Sequence, residues 1–136
     1  MKMEFQLGTS SKAHKILKIF SGKADGDDKA SKINNPRAPF KEMRHVYVFA
    51  LMLGISRGEK SPVENRINYT HGSSIEKTFD NIFPVIKLLG DPKDVESPDA
   101  YKKAIEEYTT WGLLYLDENY KFGSDDFRLA ELFKLN

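Results

Sequence analysis

The sequence predicts a mainly helical fold: a single compact domain of about five helices with a short N-terminal β-strand. Residues 46–53 are almost wholly apolar, and apolar residues recur at helical spacing through most of residues 73–134. Apolar and polar residues alternate over residues 1–7, which is the period of a half-buried strand. A second short strand is predicted near residues 66–70, with an extended connector as the alternative. A domain spanning residues 1–136 is long enough to bury a core without disulfides, and the chain contains no cysteine.

The first forty residues are expected to contain the strand, a short helix and a long loop. Gly8 is expected to end the strand, and Thr9 or Ser10 provides a cap for the helix that follows. Residues 22–39 are rich in Gly, Asp, Lys, Asn and Pro, which predicts a long mobile loop. The short helix is expected to bury Ala13, Ile16, Leu17 and Phe20 and to leave Lys12, Lys15 and Lys18 outside.

A central helix is predicted from Phe40 or Lys41 to Ser56, with Gly58 as the residue that ends it. Because the middle of this helix is apolar all round, we expect it to be buried on every side. Gly54 lies within it, where glycine costs about 1 kcal/mol relative to alanine. We therefore expect Gly54 to pack closely against another part of the backbone.

The C-terminal half is expected to be helical throughout. Ser73 and Glu76 have the spacing of a capping box and predict a helix start. Pro84 lies inside the apolar pattern that follows, which predicts a kink or a restart of the helix. Ser97 is predicted to cap the next long helix, and a last amphipathic helix is predicted at about residues 125–134.

The net charge of +1 conceals an uneven distribution along the chain. Residues 1–66 contain thirteen Lys and Arg against seven Asp and Glu, a balance of +6, whereas residues 67–136 contain eight against thirteen, a balance of −5. A basic half suits phosphate backbone, and an acidic half suits a basic protein or the basic half of a second copy. The alternative is a solvated surface that binds no ligand and whose charge simply changes sign along the chain.

We find no motif that identifies a catalytic site. The glycine patterns of nucleotide-binding loops are absent. The three histidines, His14, His45 and His71, are far apart and lack the spacing of metal ligands. Adjacent acids such as Glu106 and Glu107 point about 100° apart on a helix, so we expect solvated carboxylates rather than an acid/base pair. We therefore expect no enzyme activity, no cofactor and no metal site.

The basic residues around the central helix are the best candidate for a binding site. Positive charges at a helix start are unfavourable because they oppose the helix dipole. Residues that depart from such a preference are typical of functional sites, so these cations indicate a binding role. Nucleic-acid backbone is the natural ligand, and a solvated basic collar is the alternative. The predicted nucleic-acid-binding residues are Lys32, Arg37, Lys41, Arg44, His45, Arg57 and Lys60.

The order of strand, capped helix, loop and apolar helix is also that of ribbon-helix-helix proteins, which pair strands between two copies and read DNA with strand side chains. In that alternative Lys2, Glu4 and Gln6 would contact the bases. The length of the predicted loop and the large helical C-terminal half argue against it.

Two separated motifs, FKEM running into VYVFALMLGISRG and the later AIEEYTTWGLLYL, resemble a family of small proteins associated with DNA phosphorothioation (dnd) systems of bacteria and archaea. The resemblance covers about residues 38–120. It implies membership of a defence locus that marks or restricts DNA through sulfur in its backbone. It supplies no catalytic residues.

Charge and resemblance together lead us to expect an accessory or regulatory DNA-associated protein of such a system, without catalytic activity of its own. The alternative is a protein–protein interaction adaptor or homo-oligomerising subunit that does not touch DNA. The expected partners are DNA, other proteins of the same defence system and a second copy of the chain. The polar N-terminus and the lack of an apolar run of membrane length predict a cytoplasmic protein with no membrane partner.

Overall fold

The computed structural model describes residues 2–22 and 40–120. The predicted fold class is confirmed, since this part of the chain is mainly helical and contains one short two-stranded sheet. The helix predicted at 125–134, and all of the predicted loop except Gly22, lie outside the described residues. The elements are β1 (Gln6–Thr9), α1 (Ser11–Phe20), α2 (Met43–Arg57), β2 (Ile67–His71), α3 (Gly72–Thr78), α4 (Ile82–Leu89), a 3-10 helix (Pro92–Val95) and α5 (Pro98–Asn119).

The strands β1 and β2 pair in antiparallel orientation, which confirms the second strand predicted near residues 66–70. The register of the pair shifts between Leu7 and Gly8. The prediction that Gly8 ends the first strand is wrong, because Gly8 lies inside β1. A Cβ atom at this position would lie 2.2 Å from the carbonyl oxygen of Ile67, so glycine allows the strands to pair closely at the shift.

Helix α1 is capped and packed as its sequence predicts. The Ser10 hydroxyl accepts a hydrogen bond from the Ala13 amide at 3.2 Å. At the other end of the helix, the Phe40 amide donates to the carbonyl oxygen of Phe20 at 3.2 Å. This bond places the chain that leads into α2 beside the end of α1. The four apolar residues predicted to be buried, Ala13, Ile16, Leu17 and Phe20, are all buried.

Helix α2 begins at Met43 instead of Phe40 or Lys41, because Glu42 keeps an extended backbone with a φ of −131°. Its end is as predicted. Gly58 follows the last turn with a φ of 65°, the left-handed conformation that glycine adopts without steric cost.

The prediction that α2 is buried on every side is wrong. Within the described part of the chain, the helix contacts α1, α3, α4 and α5. One side is buried and consists of Val46, Tyr47, Ala50, Leu51, Gly54 and Ile55. The other apolar residues, Val48, Phe49, Met52 and Leu53, are half-buried and pack against the edge of the core.

Helices α2 and α5 approach each other until their backbones touch. A Cβ atom at Gly54 would lie 2.3 Å from the carbonyl oxygen of Tyr108. A Cβ atom at Gly112 would lie 2.1 Å from the carbonyl oxygen of Ala50. The close packing predicted at Gly54 is therefore confirmed, with Gly112 as its counterpart. Since residue 54 faces 108 and residue 50 faces 112, the two helices run antiparallel.

The capping box predicted at Ser73 and Glu76 is wrong. The cap of α3 is His71, whose side-chain Nδ1 accepts a hydrogen bond from the Ser73 amide at 3.1 Å. The Glu76 carboxylate does not bond back to the start of its own helix. It accepts instead from the Met3 amide at 2.8 Å, which ties α3 to the N-terminal segment.

The predicted restart near Pro84 is confirmed, because α3 ends at Thr78 and α4 begins at Ile82. Pro84 lies in the first turn of α4, where its missing N–H leaves no helical hydrogen bond unmade. The predicted cap of α5 is also confirmed. The Ser97 hydroxyl accepts from the Ala100 amide at 3.1 Å.

The variants Gly54→Ala and Gly112→Ala are each expected to destabilise the protein by roughly 1–3 kcal/mol, the usual cost of overpacking a well-packed interior. In an open helix the same change would stabilise by about 1 kcal/mol, because alanine has the higher helix propensity. The sign of the change therefore reports on the approach of the two helices. Denaturant unfolding followed by circular dichroism measures it.

Ser56→Ala is the control, since Ser56 is exposed on the same helix and its replacement is expected to change stability by less than about 0.5 kcal/mol. If both glycine variants were at least as stable as the wild type, α2 and α5 would not be in backbone contact.

Candidate nucleic-acid interface

The seven residues predicted to bind nucleic acid do not form one cluster. Lys32 and Arg37 lie outside the described residues. The other five divide between the start of α2 (Lys41, Arg44, His45) and the segment at its end (Arg57, Lys60). Arg44 and Arg57 are thirteen residues apart, which corresponds to about 20 Å along the helix and about 140° around it.

The three residues at the start of α2 are exposed to solvent. The Arg44 Nε lies 2.5 Å from a carboxylate oxygen of Glu42, and the His45 Nε2 lies 3.9 Å from the same oxygen. Lys41 has no ion pair with a described residue. This end of the helix therefore retains an excess of positive charge at the surface.

The cations at the other end of α2 are engaged in contacts within the protein. The Arg57 guanidinium lies 5.2 Å from the centre of the Tyr115 ring. The Lys60 ammonium lies 2.5 Å from Asp94 and 5.0 Å from the centre of the Tyr108 ring. Because the Asp94 side chain is only 5% exposed, it offsets the charge of Lys60 at short range.

The carboxylate of Asp94 joins three parts of the fold. It accepts hydrogen bonds from the Tyr108 hydroxyl at 2.6 Å and from the Asp91 amide at 3.1 Å, in addition to the ion pair with Lys60. Burial, and then the hydrogen bond to Asp94, raise the pKa of Tyr108 above its usual value. The phenol therefore stays neutral and serves as a donor that fixes the 3-10 helix against α5.

A second buried carboxylate, Glu106, was expected to be solvated, and that prediction is wrong. Glu106 is 5% exposed and accepts from the Gly8 amide at 2.8 Å. Arg66 binds it through Nε at 3.0 Å and Nη2 at 2.6 Å. The sequence places these three residues far apart, and an acid on a helix gives no local sign of a partner on a distant strand.

Both edges of β1 are occupied within the same chain, which argues against the ribbon-helix-helix alternative. One edge pairs with β2. On the other edge, the Gly8 amide donates to Glu106, and the Gly8 carbonyl accepts from the Tyr47 hydroxyl at 3.0 Å. Burial, and then the charge of Glu106, raise the pKa of Tyr47, so this phenol also remains a neutral donor.

A serine pattern that is common in hydrolases occurs at residues 54–58, which read Gly-Ile-Ser-Arg-Gly. In those enzymes the serine stands on a sharp turn between a strand and a helix. Here Ser56 lies in the last turn of α2, and its hydroxyl donates to the carbonyl oxygen of Leu53 at 3.0 Å. The two glycines are explained by helix packing and helix termination, so the pattern does not indicate a nucleophile.

In the described part of the chain, open cavities adjoin these elements at two places. The first, of about 330 Å³, lies at the start of α1 and includes Lys12 and Glu64 in its wall. The second, of about 380 Å³, lies beside Arg66 and Glu106 and is lined by further residues of both charges on α5. Among the described residues, no group of three or more His, Asp or Glu side chains is placed to hold a metal ion.

Helix α1 also carries cations, which the sequence predicts only as the outer face of the helix. Lys12 and Lys15 are exposed, Lys18 is half-buried, and the helix contains no acidic residue. The bond between Phe40 and Phe20 brings this helix end next to the start of α2. The sequence does contain a sign of this cationic face, because residues 11–20 include three lysines and no acidic residue.

No family model, curated protein or solved structure matches this chain. Within residues 2–22 and 40–120, none of the helices has the length and apolar character needed to cross a membrane.

Glu106→Ala is expected to lower the free energy of unfolding by about 3 kcal/mol, the low end of the range for breaking a buried ion pair. The low end applies because the Arg66 side chain is 31% exposed and keeps access to water when its partner is lost. The Gly8 amide would also lose its acceptor. Thermal and denaturant unfolding measure the loss.

Glu107→Ala, one residue further along α5, is the matched control and is expected to change stability by less than about 0.5 kcal/mol. Equal losses in the two variants would contradict the role assigned to Glu106.

Proposed function

We propose that this protein is an accessory or regulatory DNA-associated component of a DNA phosphorothioation-type defence system, without catalytic activity of its own. The resemblance of residues 38–120 to small dnd-associated proteins supports the choice of system. The balance of +6 in residues 1–66 supports a polyanionic ligand.

The observation that carries the proposal is the exposed positive charge at the start of α2. Lys41 and Arg44 lie where the helix dipole disfavours cations, and among the described residues Glu42 partly offsets them. The fold uses neither side chain in its core. Exposed cations at a helix start that disfavours positive charge are suited to an external anion, and DNA phosphate is the anion that this system provides.

The engagement of the buried carboxylates supports a binding protein over an enzyme. Asp94 is held by Tyr108, Lys60 and a backbone amide, and Glu106 is held by Arg66 and a second amide. A general acid or base needs a carboxyl group that faces substrate. The Asp94 carboxylate is buried among these partners, and the Glu106 carboxylate, which borders the cavity beside Arg66, is bound by Arg66 and the Gly8 amide.

An interaction adaptor is the second candidate, because α4 presents apolar side chains to solvent. Leu88 is 82% exposed and Leu89 is 57% exposed. Exposed apolar patches of this kind occur at protein–protein contacts. The adaptor becomes the preferred function if the protein fails to bind DNA.

Fluorescence anisotropy with a labelled DNA duplex tests the proposal. Binding is expected at 50 mM salt, and the association constant is expected to fall roughly 100-fold at 200 mM salt if about four phosphates are contacted. A duplex of the same sequence with phosphorothioate linkages, compared with the unmodified duplex, measures whether the protein distinguishes modified DNA.

An absence of binding at 50 mM salt would refute the proposal, because attraction to phosphate is strongest at low salt. Binding that does not change with salt would likewise exclude a phosphate-driven interaction.

A further inference from the structure

We infer that α1 contacts the phosphate backbone of duplex DNA, and that it acts together with the start of α2 as one sequence-independent surface. The inference rests on the proposed function and specifies the surface and the ligand class. The cationic surface consists of Lys12, Lys15, Lys18, Lys41 and Arg44.

The lysines of α1 share the side of the helix that faces away from the core. The buried residues of this helix fill one side, and the helix then packs against α5 and α2. At 100° per residue, Lys12, Lys15 and Lys18 lie within an arc of about 120° on the other side. Neither Lys12 nor Lys15 has an ion pair within the described residues, so their charges are available to a ligand.

The two parts of the cationic surface are held together by the fold. The hydrogen bond from the Phe40 amide to the Phe20 carbonyl joins the end of α1 to the residue before Lys41. Of the acids in residues 2–22 and 40–120, Glu42 lies beside Arg44 and Glu64 lies in the wall of a cavity near Lys12. Set against these two acids, Lys12, Lys15, Lys41 and Arg44 leave the surface net positive.

The composition of α1 favours phosphate over bases as the contact. Its exposed positions are Lys12, Lys15 and Ile19, none of which carries an aromatic ring, and Phe20 is buried. Proteins that bind single strands typically stack bases on exposed aromatic side chains, which α1 does not offer. It also lacks Arg, Asn and Gln, the side chains that read base edges. Lysine acts as a point charge, which suits phosphate without sequence preference.

The size of the helix fits several phosphates of a duplex. Ten residues of helix extend about 15 Å, and duplex DNA carries one charge per about 1.7 Å of its axis. The lysines of α1 therefore have a phosphate within reach at each position along the groove edge.

The test uses the full chain and the double variant Lys12→Gln/Lys15→Gln. Loss of two phosphate contacts is expected to weaken duplex binding roughly 50-fold at 100 mM salt and to reduce the slope of log K against log salt by about 2. Glutamine keeps a high helix propensity, so circular dichroism and the thermal midpoint are expected to match the wild type. The matched control is Lys77→Gln/Lys87→Gln, two exposed lysines on α3 and α4 with the same change in charge.

The outcomes separate the inference from the proposed function. If the wild type binds duplex and both double variants lose the same small factor, α1 is not the contact surface and the proposed function stands. If the wild type does not bind duplex at 50 mM salt, both fail. A tenfold preference for one of two unrelated duplex sequences, or for single-stranded DNA of equal length, would overturn the sequence-independent contact.

Discussion

The backbone contact between α2 and α5 is the constraint on which the rest of the structure depends. Gly54 and Gly112 remove the side chains that would hold the helices apart, and each faces a carbonyl oxygen of the other helix. Close approach of this kind brings many atoms into van der Waals contact and permits Cα–H to oxygen contacts. It also fixes the position of α5 along and around α2. The polar side chains of α5 then reach their partners only because of that position.

Two buried carboxylates extend the constraint to the rest of the fold. Glu106 lies two residues before Tyr108 on α5, and it binds β1 through the Gly8 amide and the entrance to β2 through Arg66. Tyr108 contacts Gly54 through its backbone and binds Asp94 through its hydroxyl. Helix α5 therefore positions the sheet through Glu106 and the 3-10 helix through Tyr108. Burial makes each group costly to leave unpaired, so these contacts specify the arrangement as well as stabilise it.

The parts of the fold that could be predicted from the sequence are those with a local cause. The caps at Ser10 and Ser97, the restart at Pro84 and the close packing at Gly54 each follow from a few neighbouring residues. The partners of Lys60 and Glu106 could not be predicted, because they are distant in sequence. Asp94 lies 34 residues from Lys60, and Gly8 lies 98 residues from Glu106. The candidate site shows the same difference. Its α2 residues are recognisable from the local sequence, whereas the proposed contribution of α1 depends on a contact between separated segments.

The core and the proposed binding surface of this protein use different charged groups. Buried acids and neutral phenols hold the helices, and the exposed cations of α1 and the start of α2 form the surface that we propose binds DNA. Chemical-shift mapping of the ¹⁵N-labelled protein during titration with a DNA duplex tests this assignment most directly. The shifted amides are expected to cluster in residues 11–19 and 41–45, and added salt is expected to reverse the shifts. Shifts confined to α4, or none at all, would contradict it.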